Sequence, residues 1–211
     1  MSQRKQQLTE LVERYQVFKR EGRLDLSSEE TIRAWINELL AIFDWNVMDT
    51  SQILQEKVLS REEKERLQEI DSTSTRPDYT FKIGNQKLTF LDAKAVSVNI
   101  ETSNASAFQI KSYGWSILAP CSFLTNFEEF AIYDCTYIPN QSQSANLGRT
   151  YLKLDNYIEN FDVLEKHLLK SNILNGTLEK LYSDTLKNVG SVQKLSPDLV
   201  FADQLSNFRL S

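Results

Sequence analysis

The chain has 211 residues, 41% hydrophobic and 25% charged, a balance that suits a globular protein with one α/β core and some helical extension. Its 24 basic and 29 acidic side chains leave a net charge of −5. That argues against a free-standing binder gripping nucleic-acid phosphates over a broad surface, but not against a catalytic module carried to DNA by a neighbour.

No apolar run reaches membrane-spanning length, and the N-terminus reads as an amphipathic helix rather than a signal peptide, so a cytoplasmic protein is expected. One histidine, His167, and two cysteines cannot furnish a zinc-ligand set. Cys121 and Cys135 sit in apolar, strand-like runs and are expected to be reduced core residues.

Residues 3–22 carry Leu8, Leu11, Val12, Tyr15 and Phe18 at helical spacing and end near Gly22, the pattern of a helix docked on a core. Ser27-Ser28 caps a second helix whose stripe is Ile32, Ile36, Leu39, Leu40 and Phe43, with Trp45 closing the segment. Glu29 and Glu30 occupy its first turn, where negative charge suits the helix dipole. By helical angle Glu29 falls near the buried stripe and Glu30 away from it, while Glu38 lies off the stripe. Residues 50–72 are charged and mixed, and read as a surface helix or helical insertion.

The stretch from Arg76 to Lys94 is a hairpin signal. Tyr79, Phe81 and Ile83 alternate with polar residues, Gly84-Asn85 supplies the turn, and Leu88 and Phe90 resume the alternation. Asp92 and Lys94 leave one face of the second strand, and Asp78 stands at the mouth of the first. Pairing about that turn brings Asp78, Asp92 and Lys94 together, an arrangement suited to a hard cation and a phosphate. The spelling alone is cheap: acid-x-Lys recurs at 62–64, and Pro-Asp recurs at Pro197-Asp198. Only 77–94 sets both halves on a hairpin.

Residues 95–104 read as strand continuation and loop. A helix follows over 106–118, placing Gln109 and Tyr113 on one face. Pro120 ends it, and two strands over 121–127 and 128–138 meet around a tight Asn126-Phe127-Glu128 connection. Residues 139–149 read as loop, and the pattern from Tyr151 onward is helical, including 157–169 and 176–186. A last helix capped by Ser196 runs over 196–210 to the end of the chain, which suggests a truncated form or the first module of a longer polypeptide.

With RPDY, LDAK, a Glu-started helix closing on a Trp, and FQIKSYGWS, the chain resembles the PD-(D/E)xK nuclease superfamily. Within it, the closer likeness is to the N-terminal endonuclease modules of type IIG restriction–modification enzymes and of type I restriction subunits. The resemblance covers roughly residues 25–190 and is specific over 76–135. It departs in having Asp92 where Glu is commoner, which the family allows, and it leaves the first-helix acid open between Glu29 and Glu30.

The resemblance implies a restriction-endonuclease-like α/β fold. A mixed central sheet of about four to five strands is flanked by helices, with 1–150 as the nuclease domain and 151–211 as a helical extension or connector. It implies Mg²⁺, replaceable by Mn²⁺, held by Asp78, Asp92 and the Ala93 carbonyl. Lys94 would act on the attacking water, Glu29 would hold a metal-bound water, and Gln109 with Tyr113 would position the lysine or the DNA. The substrate would be double-stranded DNA brought by an attached or partner specificity or methyltransferase domain, with dimerisation serving double-strand cleavage. No phosphate-binding Gly-x-x-x-x-Gly-Lys loop, Asn-Pro-Pro-Tyr or glycine-rich cofactor loop occurs in the sequence, so neither ATP nor adenosylmethionine is expected to bind within it. Two other classes remain open at this point: a degenerate nuclease fold serving as an interaction or scaffold module, and a nuclease module of an ATP-driven translocase.

Overall fold

The computed structural model describes residues 2–187. Over these residues the chain forms a six-stranded sheet flanked by helices on both faces, so the α/β expectation holds with one strand more than its upper bound. The strands are β1 (Ile53–Gln55), β2 (Tyr79–Ile83), β3 (Gln86–Ala93), β4 (Cys121–Thr125), β5 (Glu129–Asp134) and β6 (Arg149–Lys153), and they lie side by side in chain order. Only β3 and β4 run parallel. A parallel pair needs a crossover, and the helix α4 (Asn104–Ser116) supplies it.

The alternation of side chains along each strand splits the apolar residues between two faces. Phe81, Leu91, Phe123 and Ile132 face a layer made by α1 (Gln3–Arg20), α2 (Glu29–Ile42), α5 (Phe161–Leu168), α6 (Lys170–Leu174) and the start of α7 (Thr177–Lys187). Phe90, Leu124, Ala131 and Tyr133 face α4 and the short α3 (Arg61–Gln68). The expected stripes of α1 and α2 are buried as read, with Phe18 partly covered. Ser28 caps α2 by accepting from the Thr31 N–H. Tyr15 and Lys19 tie α1 to Glu128 at the β4–β5 turn. In that turn Phe127 takes a left-handed φ of 70° and wedges its ring between Tyr15 and Trp35.

Two strands were not expected. β1 lies within 50–72, and three residues are too few to show a period; its extended form comes from pairing with β2. Only the latter part of that segment is helical, as α3 with a Ser60–Glu63 capping box. Residues 151–153 are strand rather than helix, because Leu152 packs into the core while β6 pairs along the edge of β5. The parallel strand stops at Ala93, and 95–103 are turns.

Helix α4 packs tightly at Gly114, where a Cβ would sit 2.4 Å from both Cys135 Sγ and Ser122 Oγ. Both cysteines are free and buried, as expected, and burial pushes the Cys135 thiol up to about 12. Among the described residues no helix is long and apolar enough to cross a membrane. The helix expected over 196–210 lies outside the described residues.

Candidate active site

The hairpin register brings the expected residues together. Tyr79 pairs with Leu91, so the next step of the antiparallel ladder sets Asp78 opposite Asp92. This depends on a bulge in β3. Phe81 faces Thr89 but Lys82 faces Lys87, which leaves Leu88 as an extra residue. Asp92 lies on the face of Phe90 and Leu124, toward α4, and the carboxyl groups of Asp78 and Asp92 are close enough to interact.

Asp78 is held from two sides and Asp92 from one. Asp78 Oδ2 accepts from the Ala93 N–H at 2.7 Å, while its Oδ1 is paired with Arg33 of α2. Asp92, 2% exposed, accepts from Lys94 Nζ at 2.5 Å. Burial raises the Asp92 pKa, the Lys94 charge opposes this, and the Asp78 charge adds to it. Burial alone would lower the Lys94 pKa, but the Asp92, Asp78 and Glu29 carboxylates keep it above the usual lysine value. Lys94 therefore stays an ammonium.

Helix α4 delivers the polar partners. Lys94 Nζ donates to Gln109 Oε1 at 3.3 Å, Gln109 Nε2 donates to the Tyr113 hydroxyl at 3.2 Å, and that hydroxyl accepts from the Arg76 N–H at 3.3 Å. The relay links both ends of the hairpin mouth to one helix face. Tyr113 is buried, and desolvation raises its pKa, so it remains a neutral donor and acceptor.

Burial does not separate the first-helix acids. Both are exposed, and Glu29 is the one whose charge reaches Lys94. Glu38 is paired with Arg14 on the outer surface, away from the hairpin.

Arg33 was not anticipated. It lies one turn after Glu29 on the same helix face, a spacing that would have pointed to it once Glu29 was chosen. It bridges Asp78 and Glu56, and these two carboxylates hold its guanidinium charged against the cost of burial. Glu56, just past β1, also binds Arg76 at 3.0 Å. Nothing in residues 50–72 marks Glu56 among its acidic neighbours, because its place comes from the unexpected strand.

Two adjacent carboxylates, one with an oxygen anchored by a backbone N–H, could hold a hard divalent cation that keeps several of its waters. Among the described residues no cluster of three or more His, Cys, Asp or Glu side chains forms a denser cage. The donor set is oxygen only, which matches Mg²⁺ or Mn²⁺ in chemical character.

The chain is 27% identical over 210 residues to the type II restriction enzyme and methyltransferase RM.Eco57I of Escherichia coli, an alignment that covers 98% of this chain and 21% of that protein. The chain thus spans about a fifth of the length of that relative. No family model matches the chain, and no solved structure matches it.

Proposed function

We propose that the chain is a Mg²⁺-dependent endodeoxyribonuclease module of a restriction–modification enzyme, of the PD-(D/E)xK type. The observation that carries this reading is the meeting of Asp78, Asp92 and Lys94 at the hairpin mouth, with Gln109 and Tyr113 bonded in series behind the lysine. A relative named as both restriction enzyme and methyltransferase, matched over 21% of its length, supports the context. The remainder of such a protein would carry methylation and sequence choice, and would bring double-stranded DNA to an acidic module that grips it weakly. A second copy would serve the second strand.

Asp78, Asp92 and the Ala93 carbonyl would hold the ion. When bound, a Mg²⁺ supplies charge neutralisation at the phosphate oxygens and a water of lowered pKa. The chain's own groups do the rest. Lys94 reaches over the pair on a stem that is 17% exposed, placed to fix a water and to offset phosphate charge. Asp92 and Gln109 hold the ammonium from two directions, so its position is set before substrate arrives. Glu29, exposed at the start of α2, lies where it could bind a water at the outer edge of the site.

The test uses the full-length parent protein. Lys94→Ala should lower Mg²⁺-dependent plasmid cleavage by at least about a hundredfold while methylation of the same DNA persists, since one charge-stabilising group contributes about that much. Cleavage within a few-fold of wild type would remove the lysine from the chemistry. If Asp92→Ala also cut normally, the fold would be an interaction or scaffold module instead.

A further inference from the structure

Six charged groups at the hairpin mouth pair with one another: Asp78, Asp92 and Glu56 stand against Arg33, Arg76 and Lys94, and the exposed Glu29 adds its field at Lys94. Arg33 has the divided role in this set. One of its terminal nitrogens is on Asp78 Oδ1 and the other on Glu56 Oε1, while its Nε is buried without a hydrogen-bond partner. The guanidinium is thus held only through its two tips, each on a different carboxylate.

The two carboxylates differ in how firmly they are held. Asp78 keeps its orientation through the Ala93 N–H on Oδ2, so losing Arg33 from Oδ1 would not release it. Glu56 is fixed at the backbone, where its N–H donates to the Asp78 carbonyl at 2.9 Å and its own carbonyl accepts from Arg76 Nε at 2.7 Å. It offers Arg33 a standing partner whatever happens at Asp78.

We propose that Arg33 is the built-in counter-ion of the cation site. It neutralises Asp78 in the ion-free protein and withdraws onto Glu56 when a divalent cation takes the carboxylate, presenting its freed tip to a phosphodiester oxygen. The inference rests on the metal-dependent reading above and adds a positioning residue to it. Cation and DNA binding are then linked, because each ion bound frees one guanidinium donor at the mouth. Apparent cation affinity is correspondingly lowered by competition with Arg33, since an ion must displace a charge-assisted pair to bind.

Mn²⁺ titration of the full chain by calorimetry tests this without DNA or turnover. Arg33→Gln should bind Mn²⁺ about tenfold more tightly than wild type, a change that corresponds to removing one such pair. Glu56→Gln should bind it several-fold more weakly, because Arg33 then has nowhere to go. In the Arg33→Gln background, Glu56→Gln should change the affinity by less than about twofold. Equal effects of Glu56→Gln in both backgrounds would mean simple long-range attraction and would overturn the proposal. So would wild-type binding that Arg33→Gln leaves unchanged, with the cation site itself intact. If neither wild type nor Arg33→Gln binds Mn²⁺ at millimolar concentration, the cation reading fails along with it. Arg33 is 23% exposed and Glu56 42%, so both variants spare the core, and a matching unfolding curve confirms that each is folded.

Discussion

Replacing Gly114 by alanine sets two principles against each other. By helix propensity alone, Gly114→Ala within α4 should stabilise the protein by about 1 kcal/mol. The packing predicts the reverse. The new methyl would lie 2.4 Å from Cys135 Sγ and Ser122 Oγ and 2.8 Å from Cys135 Cβ, about 1 Å inside normal contact. Both neighbours are buried on short stems, Ser122 within β4 and Cys135 just past β5, and have little room to swing aside, so the helix must lift. Overpacking of this kind costs roughly 1–3 kcal/mol and more when backbone moves. With the helix backbone moving, the cost lies at the upper end of that range, about 2–3 kcal/mol, so the expected net loss is about 1–2 kcal/mol, or about 2–8 °C in Tm for a domain of this size. Urea and thermal unfolding of the variant measure it. A lift of about 1 Å also stretches the 3.3 Å Lys94–Gln109 bond beyond hydrogen-bonding range, so the proposed cleavage should fall together with stability. A variant as stable as wild type, or more stable, would refute the packing argument outright.

Two further outcomes are expected from the site. Burial raises the Asp92 pKa above the ordinary carboxylate range, so below the raised value an incoming cation must expel a proton. Mn²⁺ affinity should therefore rise with pH by up to about tenfold per unit and level off above the raised value. In the ion-free chain the same shift has the opposite sign for folding: the bound proton stabilises the fold fully at acid pH, and that contribution is lost as pH rises through the raised value. A flat affinity profile between pH 5 and 8, read by calorimetry, would contradict the shift. The two acids of α2 should also separate. Glu29→Gln should slow cleavage several-fold through the field at Lys94, and Glu30→Gln should leave it unchanged, as single-turnover rates on plasmid DNA would show.

The parts of the site that were legible in the sequence are those that share an element or a tight turn. Asp92 and Lys94 follow from the strand's two-residue period, and Gln109 with Tyr113 from the helix's four-residue one. Asp78 follows once Gly84-Asn85 is recognised as the turn. Arg33 and Glu56 do not, because their meeting depends on how α2 leans on the sheet and on β1, which has no pattern of its own. The edge strands failed for a related reason. Ile53–Gln55 and Arg149–Lys153 are extended chiefly because a neighbour offers them hydrogen bonds, and a single sequence carries little trace of that offer.

The extra residue in β3 makes the number of residues around this hairpin a functional quantity. Side chains on a strand point alternately up and down, so drawing Leu88 into the ladder opposite Phe81 would slide the remainder of β3 by one place, set Leu91 rather than Asp92 against Asp78, and turn Asp92 and Lys94 to the opposite side of the sheet. In related chains, length changes should gather in the outward-facing turns and spare the arc between the two aspartates. An insertion there would unmake the site while leaving every one of its residues in place.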